Sequence, residues 1–342
     1  MLDLLDCNGK KDIKSMTLEE VTAQMAALGE KSFRAKQLYD WMHVKLAEGF
    51  DDMSSLSIPL KQKLKENYSL TCLKMVDERV SQVDGTRKYL FGLEDGHVIE
   101  SVWMQYHHGN SVCISSQVGC RMGCRFCAST LDGLERNLRP SEMLEQIYRI
   151  QSITGERVSN VVVMGSGEPM DNYDNVIRFL RLVSHEKGLN ISQRSLTIST
   201  CGIVPGIRKF AEEGLAVTLA LSLPAPNDAV RKTLMPVANS YTLQDVLQAC
   251  CRGLAGGEVL QLLLQLPLCL LLFLNDFPAG LLPPLKFRDL GSLLLNRGFR
   301  LGNGGTQPCK CGHSGLKCPH GVHGDGSVAQ MPGKYLLQDL GT

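Results

Sequence analysis

Four of the chain's 13 cysteines fall in one short stretch, "CISSQVGCRMGCRFCAST", which runs from Cys113 to Thr130. The last three, Cys120, Cys124 and Cys127, have the spacing C-x3-C-x2-C. Three thiolates on one tight loop can bind three irons of a cubic iron–sulfur cluster and leave the fourth iron open to an exogenous ligand. Four protein ligands suit electron transfer, whereas three suit substrate chemistry. Zinc also takes clustered cysteines but ordinarily wants four protein ligands. No further His or Cys follows within the loop, and on the three cysteines alone both metals stay open. Phe126, just before the last of them, fits an apolar cover. A second concentration of ligand-type residues lies near the C-terminus, where Cys309, Cys311 and Cys318 accompany His313, His320 and His323. Its C-x-C spacing is unusual for a structural zinc site.

The elements that must hold the cysteine loop can be read on either side of it. "TLEEVTAQMAALGEKSFRAKQLYDWM" predicts two helices: Thr17 and Glu20 form a capping box, Gly29 ends the first helix, and Ser32 starts the second. "LKQKLKENY" continues in the same style. "RVSQVDGTRKYLFGLEDGHVIESVWMQY" then alternates apolar and polar residues around Asp-Gly pairs at 84–85 and 95–96, which predicts hairpins. Beyond Cys127 helix and strand patterns alternate: "SEMLEQIYRIQSI", "VSNVVVMG", "NYDNVIRFLRLVSHEK", "SLTISTCG", "PGIRKFAEEG", "AVTLALSLPAP" and "YTLQDVLQACC". The fold class expected is α/β, a partial (β/α) barrel whose function-bearing loops follow the strand C-termini. Residues 1–97 are expected to form a helical and small-sheet accessory domain, residues 98–250 the barrel, and residues 251–342 an irregular tail.

Composition narrows the class further. The chain has 342 residues, 44% hydrophobic and 21% charged, as in an ordinary globular protein. Its net charge of +1 supplies no global field for nucleic acid, so an RNA partner needs a local patch. Arg121, Arg125, Arg136 and Arg139 around the loop, and Lys31, Arg34 and Lys36 on the second helix, are candidates for phosphate contact. Asp3 and Asp6 break any signal-peptide pattern. The longest apolar run, 260–274, is interrupted by Gln261, Gln265 and Pro267 and falls short of the about 20 residues of a membrane span. A cytoplasmic protein with reduced thiols is expected.

"CISSQVGCRMGCRFCAST", "MGSGEPMDNYDNV", "TISTCGIVPGI" and "LSLPAPNDAVRKTLMP", in this order, resemble the RlmN/Cfr family of radical S-adenosylmethionine adenosine methyltransferases. The resemblance runs from about Phe33 to Ala249. It implies a 4Fe-4S cluster on Cys120, Cys124 and Cys127, and S-adenosylmethionine contacted by Gly167 and Glu168, by Ser199, and by Ser222 and Leu223. The family commonly has a histidine next; here Pro224 stands in that place and donates no hydrogen bond. By the same resemblance Glu100, 13 residues before Cys113, is the general base that removes the ring-carbon proton, and Cys113 resolves a protein–RNA adduct. The reaction implied is methylation of carbon 2 of an adenosine in 23S rRNA and in some tRNAs, through a methylated cysteine carrier. A relative modifies carbon 8 and shares these motifs. A noncatalytic iron–sulfur RNA-binding relative is the other reading. An electron donor such as flavodoxin and a monomeric state are expected with the first.

The tail departs from this pattern. From about Cys251 the core periodicity, the charge mix and the family motifs stop together, and the late motif that carries the methyl-accepting cysteine is not found. That coincidence implies a tail read out of frame and a chain without its methyl carrier.

Overall fold

The structure, a computed structural model, describes residues 4–6, 8–107, 109–255 and 262–265. The reading of the tail beyond residue 265, including its cysteine and histidine cluster, lies outside the described residues.

The N-terminal helices are α1 (Leu18–Ala27), α2 (Ser32–His43) and α3 (Ile58–Asn67). The capping box forms as expected: Glu20 N–H donates to Thr17 Oγ1 at 3.3 Å and Thr17 N–H to Glu20 Oε2 at 2.8 Å. Gly29 follows at φ 77°, a left-handed turn that glycine adopts without strain. These helices enclose their own apolar core, built on Val21, Met25, Leu38, Tyr39, Met42, Leu60 and Leu64. That core ends at Tyr68, and a second one begins at Leu73.

The second core is organised by one sheet. Its strands are β1 (Lys74–Val80), β2 (Arg87–Gly92), β3 (Val98–Tyr106), β4 (Gly109–Ile114), β5 (Val158–Val163), β6 (Leu196–Thr200), β7 (Thr218–Ser222) and β8 (Leu262–Gln265). The spatial order is β8-β7-β6-β5-β4-β3-β2-β1. Pairing from β1 to β4 is antiparallel, and from β4 to β8 it is parallel. Both Asp-Gly hairpins therefore form, yet they do not close a sheet of their own, because β3 hydrogen-bonds directly to β4. Helices α4 (Pro140–Thr154), α5 (Tyr173–Val183), α6 (Val204–Ala211) and α8 (Leu243–Ala255) connect the parallel strands, and α7 (Asp228–Leu234) follows β7.

Strand side chains alternate between two faces. Tyr89, Phe91, Ile99, Trp103, Val112, Ile114, Val161, Val163, Ile198, Leu219 and Leu221 are buried with Leu144, Ile147, Phe179, Ile207 and Val246 of the helices. The opposite face carries Lys88, Glu100, Val102, Cys113, Val162, Thr197 and Ser199, as the registers Lys88↔Val102, Val102↔Cys113, Cys113↔Val162 and Thr197↔Val162 require. The helix-covered face pays for folding, and the other is free for chemistry.

A buried polar network joins the helical unit to α4. Lys14 Nζ donates to Glu145 Oε1 at 2.6 Å and to the Thr71 carbonyl at 2.7 Å, with both side chains fully buried. Glu145 Oε2 accepts from the Leu73 N–H at 3.1 Å. Removing one member of a buried ion pair strands the other, which costs about 3–5 kcal/mol. Glu145 Oε2 also pairs with Arg149 Nε at 3.3 Å, so Lys14→Met should lower stability by up to that order in urea denaturation. Lys14→Met with Glu145→Leu, which also takes the acceptor from Arg149 and the Leu73 N–H, should be no more stable than the single variant. A single variant as stable as the wild type would contradict this role.

Candidate active site

The cysteine segment leaves β4 and is tied to the loop after β5 by a ladder of short contacts. Gly165 N–H donates to the Ile114 carbonyl (2.9 Å), Ser166 N–H to Ser115 Oγ (3.0 Å), and Ser116 N–H to the Ser166 carbonyl (2.9 Å). Glu168 N–H donates to Gln117 Oε1 at 2.8 Å. A Cβ on Gly167, at φ 106°, would lie 2.6 Å from Gln117 Cβ. Glycine here is a condition of the two loops meeting at all.

Gln117–Gly119 pairs with Leu134–Asn137 as a small antiparallel ribbon, and the three cysteines lie between its strands. Cys120 N–H donates to the Gly133 carbonyl at 2.7 Å, and Arg125 N–H to the Leu234 carbonyl at 2.9 Å. Thr130 Oγ1 bonds the carbonyls of Cys124 (3.2 Å) and Cys127 (2.9 Å). Cys120 and Cys124 are buried and Cys127 half-buried. Burial pushes the Cys120 thiol up to about 11. Cys124 packs with Cys201 and Met235, flanked by Cys127, Met122, Ile203 and Val237. Three soft sulfur donors in an apolar pocket suit an iron–sulfur cluster. Among the described residues no three His, Cys, Asp or Glu groups converge on a single metal position. A cubic cluster needs no such convergence, since each thiolate meets a different iron.

The other expected residues lie on the same face of the sheet or at the C-terminal ends of its parallel strands. Cys113 is on β4 rather than in the loop, so the crowding of four thiols resolves into three in the loop and one on a strand. Glu100 on β3 shares its face, and Lys88 Nζ on β2 pairs with Glu100 Oε1 at 2.7 Å. Burial pushes the Cys113 thiol up to about 11, and the Glu100 charge acts in the same direction. Ser199 and Ser222, at the ends of β6 and β7, have their Oγ atoms 3.1 Å apart. Leu223 is buried and Pro224 half-buried beside them.

Glu168 is 4% exposed, and its carboxylate accepts the Met170 N–H at 3.1 Å and the Cys201 N–H at 2.8 Å. It braces the ends of β5 and β6. Burial raises its pKa above the ordinary carboxylate value, while those N–H groups pull the other way.

The arginines divide. Arg136 bonds Glu142 and Asp95, Arg139 bonds Glu142 and Glu94, and Arg121 bonds Asp171. These guanidiniums are engaged within the fold, which reduces the expected phosphate patch; Arg125 remains exposed on the loop. Sequence reasoning missed Lys88, Gln117, Cys201 and Arg231. Lys88 was recoverable by counting register across the Asp95-Gly96 turn. The other three lie within the quoted motifs, but nothing in their spacing singled them out.

The fold and site define a radical S-adenosylmethionine enzyme. The family profile described as the radical SAM superfamily matches residues 114–252, and that of the ribosomal RNA large subunit methyltransferase N-terminal domain matches residues 11–70. The chain is 64% identical over 241 residues to a probable dual-specificity RNA methyltransferase RlmN of Lachnoclostridium phytofermentans, covering 70% of this chain and 68% of that one. To the similarly named protein of Clostridium novyi it is 53% identical over 240 residues, 70% of each chain. The crystal structure of a radical SAM methyltransferase from Sphaerobacter thermophilus superposes with a TM-score of 0.70 at 38% identity, covering 74% of this chain and 75% of that one. The chain belongs to the RlmN family of radical SAM RNA methyltransferases.

Two glycines of the loop separate close packing from conformation. A Cβ on Gly119 (φ 73°) would lie 2.0 Å from the Gly133 carbonyl oxygen, whereas one on Gly133 (φ 77°) meets nothing within 4 Å. Gly119→Ala should purify anaerobically with normal far-ultraviolet dichroism but substoichiometric iron and sulfide. Gly133→Ala, bearing only the left-handed strain of about 1–2 kcal/mol, should keep its iron. Equal iron in both variants would contradict the geometry.

Proposed function

We propose that this protein methylates carbon 2 of an adenosine in 23S rRNA, and of an adenosine in some tRNAs, in the cytoplasm, acting as a monomer with a flavodoxin-type electron donor. The observation that carries the reading is the common face of Glu100 and Cys113, on adjacent inner strands of the sheet, with the cysteine loop leaving the end of the Cys113 strand. Their roles are those that the family resemblance implies, and the shared face is consistent with them.

Cys120, Cys124 and Cys127 would hold the 4Fe-4S cluster, which when bound supplies the electron that opens S-adenosylmethionine to radical chemistry. The ring carbon is electron-poor and cannot attack a sulfonium methyl as an amine does, so polar methyl transfer is closed to it. The apolar surroundings of the thiols exclude water from the site. Gly167, Ser199, Ser222 and Leu223, on three neighbouring strand ends, offer backbone and hydroxyl contacts to S-adenosylmethionine, with Pro224 giving shape and no donor. Glu168 adds its remaining carboxylate lone pairs and fixes the distance between two of those strand ends. Glu100 accepts the ring-carbon proton, and its ion pair with the Lys88 ammonium limits its rotamers. Cys113, on the adjacent strand, supplies the thiol that frees the base from a carrier sulfur.

The test is nucleoside mass spectrometry on unmodified rRNA and tRNA incubated with the anoxically reconstituted full chain, S-adenosylmethionine and a reductant. Formation of 2-methyladenosine by the wild type and none by Cys124→Ala would support the proposal, and would require that a cysteine beyond residue 265 serve as the methyl carrier that the late family motif does not supply here. Glu100→Gln should lower turnover by about 10²–10⁴-fold, the usual worth of a general base. 8-methyladenosine would reassign the position to the other carbon. No product with the cluster intact would favour a noncatalytic RNA-binding role.

A further inference from the structure

Arg231 on α7 is 1% exposed, the largest side chain among those nearly or wholly withdrawn from solvent. Its Nη1 donates to the Tyr241 carbonyl at 2.6 Å and its Nη2 to the Cys201 carbonyl at 3.1 Å. Both acceptors are neutral. Nε is buried without a hydrogen-bond partner, and among the described residues no carboxylate forms an ion pair with the guanidinium. Asp228, one turn earlier, is the acid that acts on it most strongly, and its Oδ1 accepts the Leu243 N–H at 2.8 Å. A buried guanidinium without an anion is costly, and arginine keeps its proton at any physiological pH. The fold retains the cation, so the site must offer negative charge nearby.

Asp228 supplies part of that charge without pairing with the guanidinium, and a second source lies on the other side. The carbonyl that Arg231 holds belongs to Cys201, which packs on Cys124. A Cβ on Gly202 would come within 3.0 Å of Nη2, so the guanidinium is pressed against this strand end. The residues just after Arg231 wall the cysteine loop: the Leu234 carbonyl accepts the Arg125 N–H, Met235 packs on Cys124, and Pro236 lies against Gly123. Cys201 and Cys124 are also among the groups that act on Arg231 electrostatically. Three thiolates around a cubic 2+ core carry a net charge of −1, and one-electron reduction makes it −2.

We propose that Arg231 is a built-in counter-charge for the cluster, a positioning residue that favours its reduced state and so helps set the potential at which it accepts an electron. The proposal rests on the cluster ligation described above. The step it concerns is the uptake of one electron by the oxidised cluster from a one-electron reductant such as dithionite or a low-potential flavoprotein, with no proton moved. A unit charge within roughly 10 Å, at an effective dielectric constant of about 20, is worth about tenfold or more in that equilibrium, and tenfold is about 59 mV for one electron.

The experiment is an anaerobic redox titration followed by electron paramagnetic resonance on the reconstituted full chain without S-adenosylmethionine. Arg231→Gln keeps amide donors for the two carbonyls but removes the charge, and its midpoint should fall by about that amount. Arg231→Lys keeps the charge and should stay close to the wild type. Asp228→Asn, which keeps an acceptor for Leu243 and removes the negative charge near Arg231, should move the midpoint upward, and it serves if the Gln variant takes up no cluster. Unchanged midpoints in Arg231→Gln, or in Asp228→Asn where the Gln variant fails, would overturn the proposal, as would Lys and Gln variants that shift alike. Loss of S-adenosylmethionine affinity at constant midpoint would also overturn it, by making the ligand the counter-anion. A wild-type sample that forms no four-iron cluster would instead defeat the ligation on which the proposal stands.

Discussion

The hydrogen bonds between Ser115–Gln117 and Gly165–Glu168 fix the distance between the cysteine loop and the strand ends that face it. Two side chains, Ser115 Oγ and Gln117 Oε1, act as acceptors for the loop after β5, and two glycines make room for the approach. The three thiols, the Glu168 brace and the paired serines of β6 and β7 depend on that closure. Without it, the cysteine loop would be anchored only by its small ribbon and its contacts with the end of α7. Arg121 adds a second tie, since it and Gln117 both bond Asp171.

The sheet supplies the second constraint, which is the pleat. In β2, β3 and β4 one set of alternate residues packs against helices, and the other set is Lys88, Glu100, Val102 and Cys113. A slip of one residue would bury Glu100 and Lys88 in the apolar core and expose Tyr89 and Trp103. The apolar face that stabilises the fold therefore also dictates which groups share the opposite face. Charge around the site is sparse: Lys88 pairs with Glu100, N–H groups hold Glu168, and Arg231 bonds only the neutral Tyr241 and Cys201 carbonyls.

Much of this was legible in the sequence. The capping box, both Asp-Gly hairpins and the alternation of strands and helices after Cys127 are local signals, and each element forms where its pattern lies. The strand containing Cys113 was not seen, because "GNSVCIS" is short and its fully buried positions blur the alternation. Helix α7, only seven residues long, had its Asn227 cap hidden inside a Pro-rich stretch. The expected site residues that stood out in the sequence were those whose type is chemically rare, such as clustered cysteines. Arg121 and Arg136 were read as a surface because sequence spacing does not show that Asp171 and Asp95 lie beside them, whereas the i,i+3 pair Arg139–Glu142 was there to be read. Arg231 and Cys201 meet across 30 residues of chain, a proximity set by tertiary packing alone.

The central claim is that the cysteine loop and the strand ends of β5, β6 and β7 form one site, in which the open iron of the cluster and S-adenosylmethionine meet. Electron–nuclear double resonance on the reduced, reconstituted protein with S-adenosylmethionine labelled at its amino nitrogen and carboxylate carbon tests it most directly. The account requires resolved couplings from both labels, lost when the cluster is removed. A reduced four-iron spectrum that carries neither coupling at saturating S-adenosylmethionine would contradict it.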